Sequence, residues 1–306
     1  MRNAFIGRLM ELAAIRKDIV LVTGDLGFGV LDDFEKKFPS QYLNAGVAEQ
    51  NMTAVATGMA LEGHTAFTYS IGNFPTLRCL EQIRNDACYH GASVKIVSVG
   101  GGFSYGQLGM SHHATEDISI MRALPGIVVC APGTAYETGC VIDAVVNMPG
   151  PAYLRLERAA PGFEDGPEVP FEFSRARALR QGDAITLICT GGVVAEAAFA
   201  ADALSAANIH CRVLSIHSLK PLDTEAILQA ARQTGGIITV EENTILGGLG
   251  AAVAECCMEA GVMPRRFLRL GIRDEYVAVV GDQSYLRKHV GIDRETIAAR
   301  VRTLLG

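Results

Sequence analysis

The sequence has no uninterrupted apolar run approaching the ~18 residues of a membrane-spanning helix. Its N-terminal stretch, MRNAFIGRLMELAAIRKD, is broken by charges throughout, so it reads as an amphipathic helix and not as a secretion signal. Eight cysteines are scattered, with no CxxC pair and no Cys/His cluster. That argues against a zinc site or a disulfide framework, and for reduced thiols in a cytoplasmic protein. No basic cluster occurs and the formal net charge is -6, which leaves no footprint for general nucleic-acid binding. GDLGFG at Gly24 to Gly29 follows GxxGxG and not the dinucleotide order GxGxxG, and no clear helix opens on it.

What is present is a globular chain of 306 residues, 49% hydrophobic, long enough for two domains with a core each. Short apolar runs alternate with longer segments of helical spacing. DIVLVTGD, TAFTYS, VKIVSVG, GIVVCAP and AYLRLER predict strands, with helices in Pro75 to His90 and Ala135 to Val146. The strands are apolar at successive positions, as expected when helices cover both faces of a parallel sheet. The class is therefore α/β. Around Ala159 to Ala178 the periodicity fails in a Pro-, Gly- and charge-rich stretch. A second α/β unit follows, with strands in AITLICTGG, CRVLSIHSL, GGIITVEEN and FLRLGI and a closing helix N-capped by Asp293. The expected division is a first domain over 1–160, a linker over 161–180 and a second domain over 181–306.

Several residues invite chemistry, and each has a plain structural reading beside it. Glu49 lies in NAGVAEQNM, where a strand ends and a buried-looking helix begins; an acid in a first helical turn also complements the helix dipole. His112 and His113 sit in a polar loop ahead of a helix that Ser111 or Thr115 is placed to cap, and they suit proton transfer or hydroxyl binding as well as simple solvation. Arg155 and Arg158 end a strand, where α/β folds place ligands, and suit a phosphate or a salt bridge. GGGF at Gly100 to Phe103 allows close approach of a ligand or marks a flexible strand exit. GGLG at Gly247 opens a helix whose amides suit an anion, or packs closely on a sheet.

Read together, VTGDLG, NAGVAEQNM, LEQIRND, GQLGMSHHATEDISIMRALP, LRLERAAP, LICTGG, SLKPLD and VEENTILGGLG resemble, in order, the C-terminal part of transketolases. That part comprises a pyrimidine-binding domain with a parallel sheet and a smaller α/β C-terminal domain, encoded separately in split transketolases. Deoxyxylulose-phosphate synthases are similar over the same region. The resemblance implies a thiamine diphosphate-dependent transferase moving a two-carbon ketol unit from a ketose to an aldehyde. It implies that Glu49 hydrogen-bonds N1′ of the coenzyme's aminopyrimidine, favouring the imino tautomer. It places Asp25 and Phe74 near the coenzyme, His112 at substrate hydroxyls with His113 beside it, and Arg158 at a sugar phosphate. Two departures stand out: Leu108 occupies the place of an aspartate in the usual EDG, and GGGF occupies the place of a His or Arg for the distal phosphate. No GDG motif occurs in the sequence. The resemblance therefore implies an N-terminal partner subunit that carries GDG and binds most of the Mg²⁺, a coenzyme shared at the interface, and an α2β2 assembly. The alternatives are a β subunit of a 2-oxo acid dehydrogenase E1 component and a non-catalytic partner subunit.

Overall fold

Ile19–Thr23 is apolar at four of five positions and buried at all of them, the pattern of a strand covered on both faces. The same burial holds for Val94–Val99 and Ala152–Leu156. The structure is a computed structural model and describes residues 1–158, 162, 163 and 165–306. Residues 159–161 and 164, within or beside the expected linker, lie outside the described residues.

The strands in chain order are β1 (Ile19–Thr23), β2 (Tyr42–Asn44), β3 (Thr65–Ile71), β4 (Val94–Val99), β5 (Val128–Cys130), β6 (Ala152–Leu156), β7 (Arg177–Arg180), β8 (Thr186–Thr190), β9 (Arg212–Ser215), β10 (Ser218–Lys220), β11 (Ile237–Thr244) and β12 (Phe267–Ile272). One sheet has seven strands in the order β10-β5-β6-β4-β3-β1-β2, and the other has five in the order β12-β11-β8-β9-β7. Both are parallel except at one edge, where β10 and β7 run antiparallel to their neighbours. The two-domain α/β class expected from the alternation is what forms.

Two strands differ from the sequence expectation. Arg177–Arg180 lies inside the stretch read as a linker, yet it pairs with β9 as an edge strand. Its alternation is hidden because the inward residue at one end is an arginine. Arg177 is buried, and its guanidinium reaches the carboxylates of Glu137 and Asp165 and the carbonyls of Gly166 and Val169. Burial of an arginine is tolerated only with such pairing. CRVLSIHSL is not one strand: β9 belongs to the second sheet and β10 to the first. The chain crosses at Ile216 and His217, where Ile216 N donates to Cys189 O at 2.7 Å and Ala131 N donates to His217 O at 2.9 Å.

That crossover welds the halves together. A single apolar cluster contains Ile118, Met121 and Leu124 from the first half and Ile227, Leu249 and Val253 from the second. On the other face of the first sheet, Phe5 and Leu9 of the helix Arg2–Ile15 pack with Val141 and Val145 of the helix Ala135–Val145. Asp293 caps the last helix, accepting a hydrogen bond from Thr296 N at 3.1 Å. Among the described residues, no helix is long and apolar enough to cross a membrane, and no group of three or more His, Cys, Asp or Glu side chains is placed to hold a metal ion.

Candidate active site

The parallel strands β1, β2, β3, β4 and β6 all point their C-terminal ends the same way, and the segments that follow carry the residues singled out in the first half, except Arg155, which lies within β6. This is where α/β sheets place ligands. After β1 comes Asp25, which is exposed and held at φ 56. Asp tolerates this left-handed conformation better than most residues. Its N–H donates to Asn44 Oδ1, and Asn44 Nδ2 donates back to its carboxylate, both at 3.0 Å.

Glu49 is the first residue of the helix Glu49–Leu61 and is only 4% exposed. Gly24 makes room for it, since a Cβ there would lie 3.3 Å from Glu49 Cγ. Arg78 Nη1 donates to Glu49 Oε2 at 2.9 Å. Among the described residues no donor reaches Oε1. The Arg78 guanidinium also lies over the ring of Phe74, 4.7 Å from its centroid. The other neighbour of Phe74 is His112, whose ring meets it edge-on with centroids 5.4 Å apart. Glu49, Arg78, Phe74 and His112 thus form one connected group. Arg78 was not singled out by sequence reasoning. The available signal was a lone cation between Leu77 and Cys79 in an otherwise apolar stretch. The predicted helix over Pro75 to His90 is in fact a 3-10 turn, Leu77–Cys79, then one α turn and a π-helix, Ile83–Cys88. Arg78 therefore sits on a tight turn beside the site.

The two histidines of the loop separate. His112 is half-buried, and Ser111 Oγ lies 3.0 Å from its Nδ1. His113 is 3% exposed; its ring packs edge-on against Phe103 and its Nε2 faces the Gly106 carbonyl at 3.4 Å. Burial lowers its pKa, which favours the neutral ring. The helix that follows, Asp117–Ala123, has no side-chain cap: Thr115 Oγ1 donates to Glu116 Oε2 instead, and Ser111 faces His112.

The two arginines separate as well. Arg155 is buried, with its Nε 3.0 Å from Asp117 Oδ2, and serves the fold. Arg158 lies over the Tyr105 ring at 5.4 Å. With Arg2, Ser104, Leu108 and Gln283 it lines a cavity of about 320 Å³. Tyr105 links this cavity to His112, with ring centroids 6.5 Å apart.

The glycine motifs resolve into packing. A Cβ at Gly100 would meet the Tyr105 ring at 2.3 Å, one at Gly101 the Arg155 side chain at 2.6 Å, and one at Gly102 the Glu242 carboxylate at 2.4 Å. GGGF therefore admits the chain's own side chains. The helix opened by GGLG likewise meets an internal carboxyl group. Leu249 N and Gly250 N donate to the two oxygens of buried Glu241, at 2.7 and 2.8 Å.

The chain matches two protein families over most of its length. Residues 1–162 match "Transketolase, pyrimidine binding domain" and residues 174–297 match "Transketolase, C-terminal domain". It is 40% identical over 298 residues to one of the subunits of the apulose-4-phosphate transketolase of Phocaeicola vulgatus, covering 97% of this chain and 94% of that one. It is 35% identical over 298 residues to the "6-deoxy-6-sulfo-D-fructose transketolase subunit SqwH" of Clostridium sp. (strain MSTE9), covering 97% and 92%. A solved structure described as "Split gene transketolase, inactive beta4 tetramer" superposes with a TM-score of 0.88 at 34% identity, covering 99% of this chain and 97% of that one.

Proposed function

Since this chain belongs to the transketolase family, as the separately encoded second subunit of a split enzyme, we propose that it supplies the pyrimidine-binding half of a thiamine diphosphate site shared with a partner subunit. The enzyme is a transferase of the transketolase type. The observation that carries the proposal is Glu49, a nearly buried carboxylate with one oxygen held by Arg78 and the other without a protein donor among the described residues. A flat, nitrogen-bearing group, the guanidinium of Arg78, already lies on Phe74 while bonded to Glu49. Glu49 Oε1, beside the Phe74 ring system and without a protein donor among the described residues, fits the ring-nitrogen edge of an aminopyrimidine.

When bound, thiamine diphosphate supplies the electron sink for the pair released as the ketose C–C bond breaks. Glu49 shares a proton with ring nitrogen N1′, and its burial strengthens that hydrogen bond. Phe74 offers an aromatic face. Asp25, fixed by Asn44, stands at the neighbouring strand end. The contact between Ser111 Oγ and Nδ1 of His112 leaves Nε2 for a donor hydroxyl, while His113 shapes the loop from inside. Arg158, with Arg2, takes the end of the sugar remote from the carbonyl. With Leu108 in place of an acid and GGGF filled by protein, the natural donor differs from xylulose 5-phosphate in its phosphate or its stereochemistry.

The partner brings the GDG motif, which holds the coenzyme's diphosphate and most of the Mg²⁺, in an α2β2 assembly in the cytoplasm. The solved tetramer of β chains alone is described as inactive, which accords with a half-site. Two measurements test the proposal. The isolated chain should bind thiamine diphosphate weakly even with Mg²⁺, and the complex tightly. The complex should transfer two-carbon units from a panel of ketoses and show no oxidation of pyruvate with an artificial electron acceptor. Tight Mg²⁺-dependent binding by this chain alone, or pyruvate oxidation without ketol transfer, would refute it.

A further inference from the structure

The loop carrying His112 is tied down by groups outside it. Three consecutive backbone carbonyls follow His112, and each is held. Asn73 Nδ2 donates to the His113 carbonyl at 2.6 Å. Arg155 Nη2 and Gly102 N donate to that of Ala114 at 3.0 and 2.8 Å. Thr244 N donates to that of Thr115 at 2.7 Å. Two of these ties lead to β11 in the second sheet, because Thr244 ends that strand and Arg155 Nη2 also donates to the Glu242 carbonyl at 2.7 Å.

The facing edge of the loop ends on the same residue. Gly102 and Ala114 form a two-way bridge, and the next amide, Phe103 N, donates to Glu242 Oε1 at 2.5 Å. Glu242 is 1% exposed. Its Oε2 accepts from Arg287 Nε at 2.5 Å and its Oε1 from Gln283 Nε2 at 2.9 Å. A charged acceptor on a backbone amide is a strong and directional tie in a dry interior.

We infer that Glu242 is a positioning residue for His112: held by Arg287 and Gln283, its carboxylate fixes the Gly102–Phe103 edge and, through the bridge to Ala114, the aim of the His112 ring. Through Glu242 the second domain thereby acts on donor recognition from a residue that does not line the donor cavity. The inference rests on His112 facing the donor, as proposed above.

The test uses the complex reconstituted with its partner. Hydroxypyruvate serves as probe, because it carries the hydroxymethyl ketone common to donors of two-carbon ketol units. Glu242→Met with Arg287→Met removes the acceptor from Phe103 N together with its cation; Glu196 keeps Arg294, and buried Glu157, 3.8 Å from Arg287, keeps its hydrogen bonds from Ser104 and Gln283. Glu242→Gln with Arg287→Gln keeps an acceptor there. The methionine pair should lower kcat/KM about tenfold with thiamine diphosphate affinity unchanged, and the glutamine pair should recover most of that loss. In a His112→Ala background the methionine pair should add less than about twofold. If the methionine pair does not assemble, Arg287→Lys keeps the charge paired and loses the directed Nε bond to Glu242 Oε2. It should cost about threefold, again only where His112 is present. Equal losses in both backgrounds, or equal losses from the two pairs, would overturn the inference. So would a costly His112→Ala combined with a silent methionine pair, and the donor-facing reading would then survive. A silent His112→Ala would remove that reading and the inference with it.

Discussion

Replacing Glu49 with Gln keeps the side chain's shape and removes its acidic proton. The structure separates what this costs the fold from what it costs the reaction. Glu49 contributes to stability through Arg78, whose side chain is 49% exposed, and through its place in the first helical turn. A half-exposed pair is worth ~0–1 kcal/mol and the dipole contact ~0.3–1 kcal/mol. The melting temperature should therefore fall by no more than about 5 °C, and assembly with the partner should persist. A positioned proton donor contributes about 10²- to 10⁴-fold in rate, which corresponds to ~3–5 kcal/mol of barrier. Turnover should thus collapse in a complex that still folds, assembles and contains its coenzyme. The assay is steady-state ketol transfer by the reconstituted complex, beside thermal denaturation and coenzyme titration of the same sample. An assembled Glu49→Gln complex retaining turnover within about threefold of the parent would show that this carboxyl is only a helix-terminus acid.

Other expected outcomes concern the scaffold. Arg155→Met leaves buried Asp117 with Tyr153 OH as its one remaining side-chain partner among the described residues and should cost ~3–5 kcal/mol in urea denaturation; adding Asp117→Leu should recover part of it. Gly102→Ala forces a Cβ toward the Glu242 carboxylate at φ +58 and should cost at least ~2 kcal/mol by the same measurement. His217 is buried against Phe171, and burial together with Arg177 lowers its pKa to about 4. An unfolded histidine titrates near ~6.5, so the unfolded chain takes up a proton before the folded one does. Its contribution is therefore complete above pH ~6.5 and is lost as pH falls toward about 4. His217→Phe should flatten that acid limb in melting curves taken between these limits, and an unchanged limb would place its cause elsewhere.

The parts of the site that were readable in advance are those set by local chain chemistry. NAGVAEQNM placed an acid at the start of a helix, and Glu49 is there. The polar SHHATED segment announced a loop at a strand end. What residue chemistry and spacing could not read, and only the family resemblance singled out, was which member of each neighbouring pair faces the site. His112 and His113 are adjacent and chemically identical, yet one meets Phe74 and the other packs inside against Phe103. Arg155 and Arg158 leave the same strand end, but only packing assigns the first to Asp117 and the second to the cavity. Arg78 went unnoticed because its partner lies 29 residues away in sequence. Glycine runs were equally ambiguous: whether a missing Cβ admits a ligand or a protein side chain depends on what the rest of the chain brings there.

The sequence alone determined the α/β class, the two sheets and the acid at the helix mouth, because hydrophobic period and turn chemistry act over a few residues. Tertiary structure alone decided that β10 leaves its neighbour β9 to join the first sheet, that Arg177–Arg180 is a strand, and that β11 reaches across to hold the His112 loop. These outcomes depend on long-range pairing of buried charges and backbone groups. Such groups look solvent-exposed in a sequence until a partner far along the chain removes them from water.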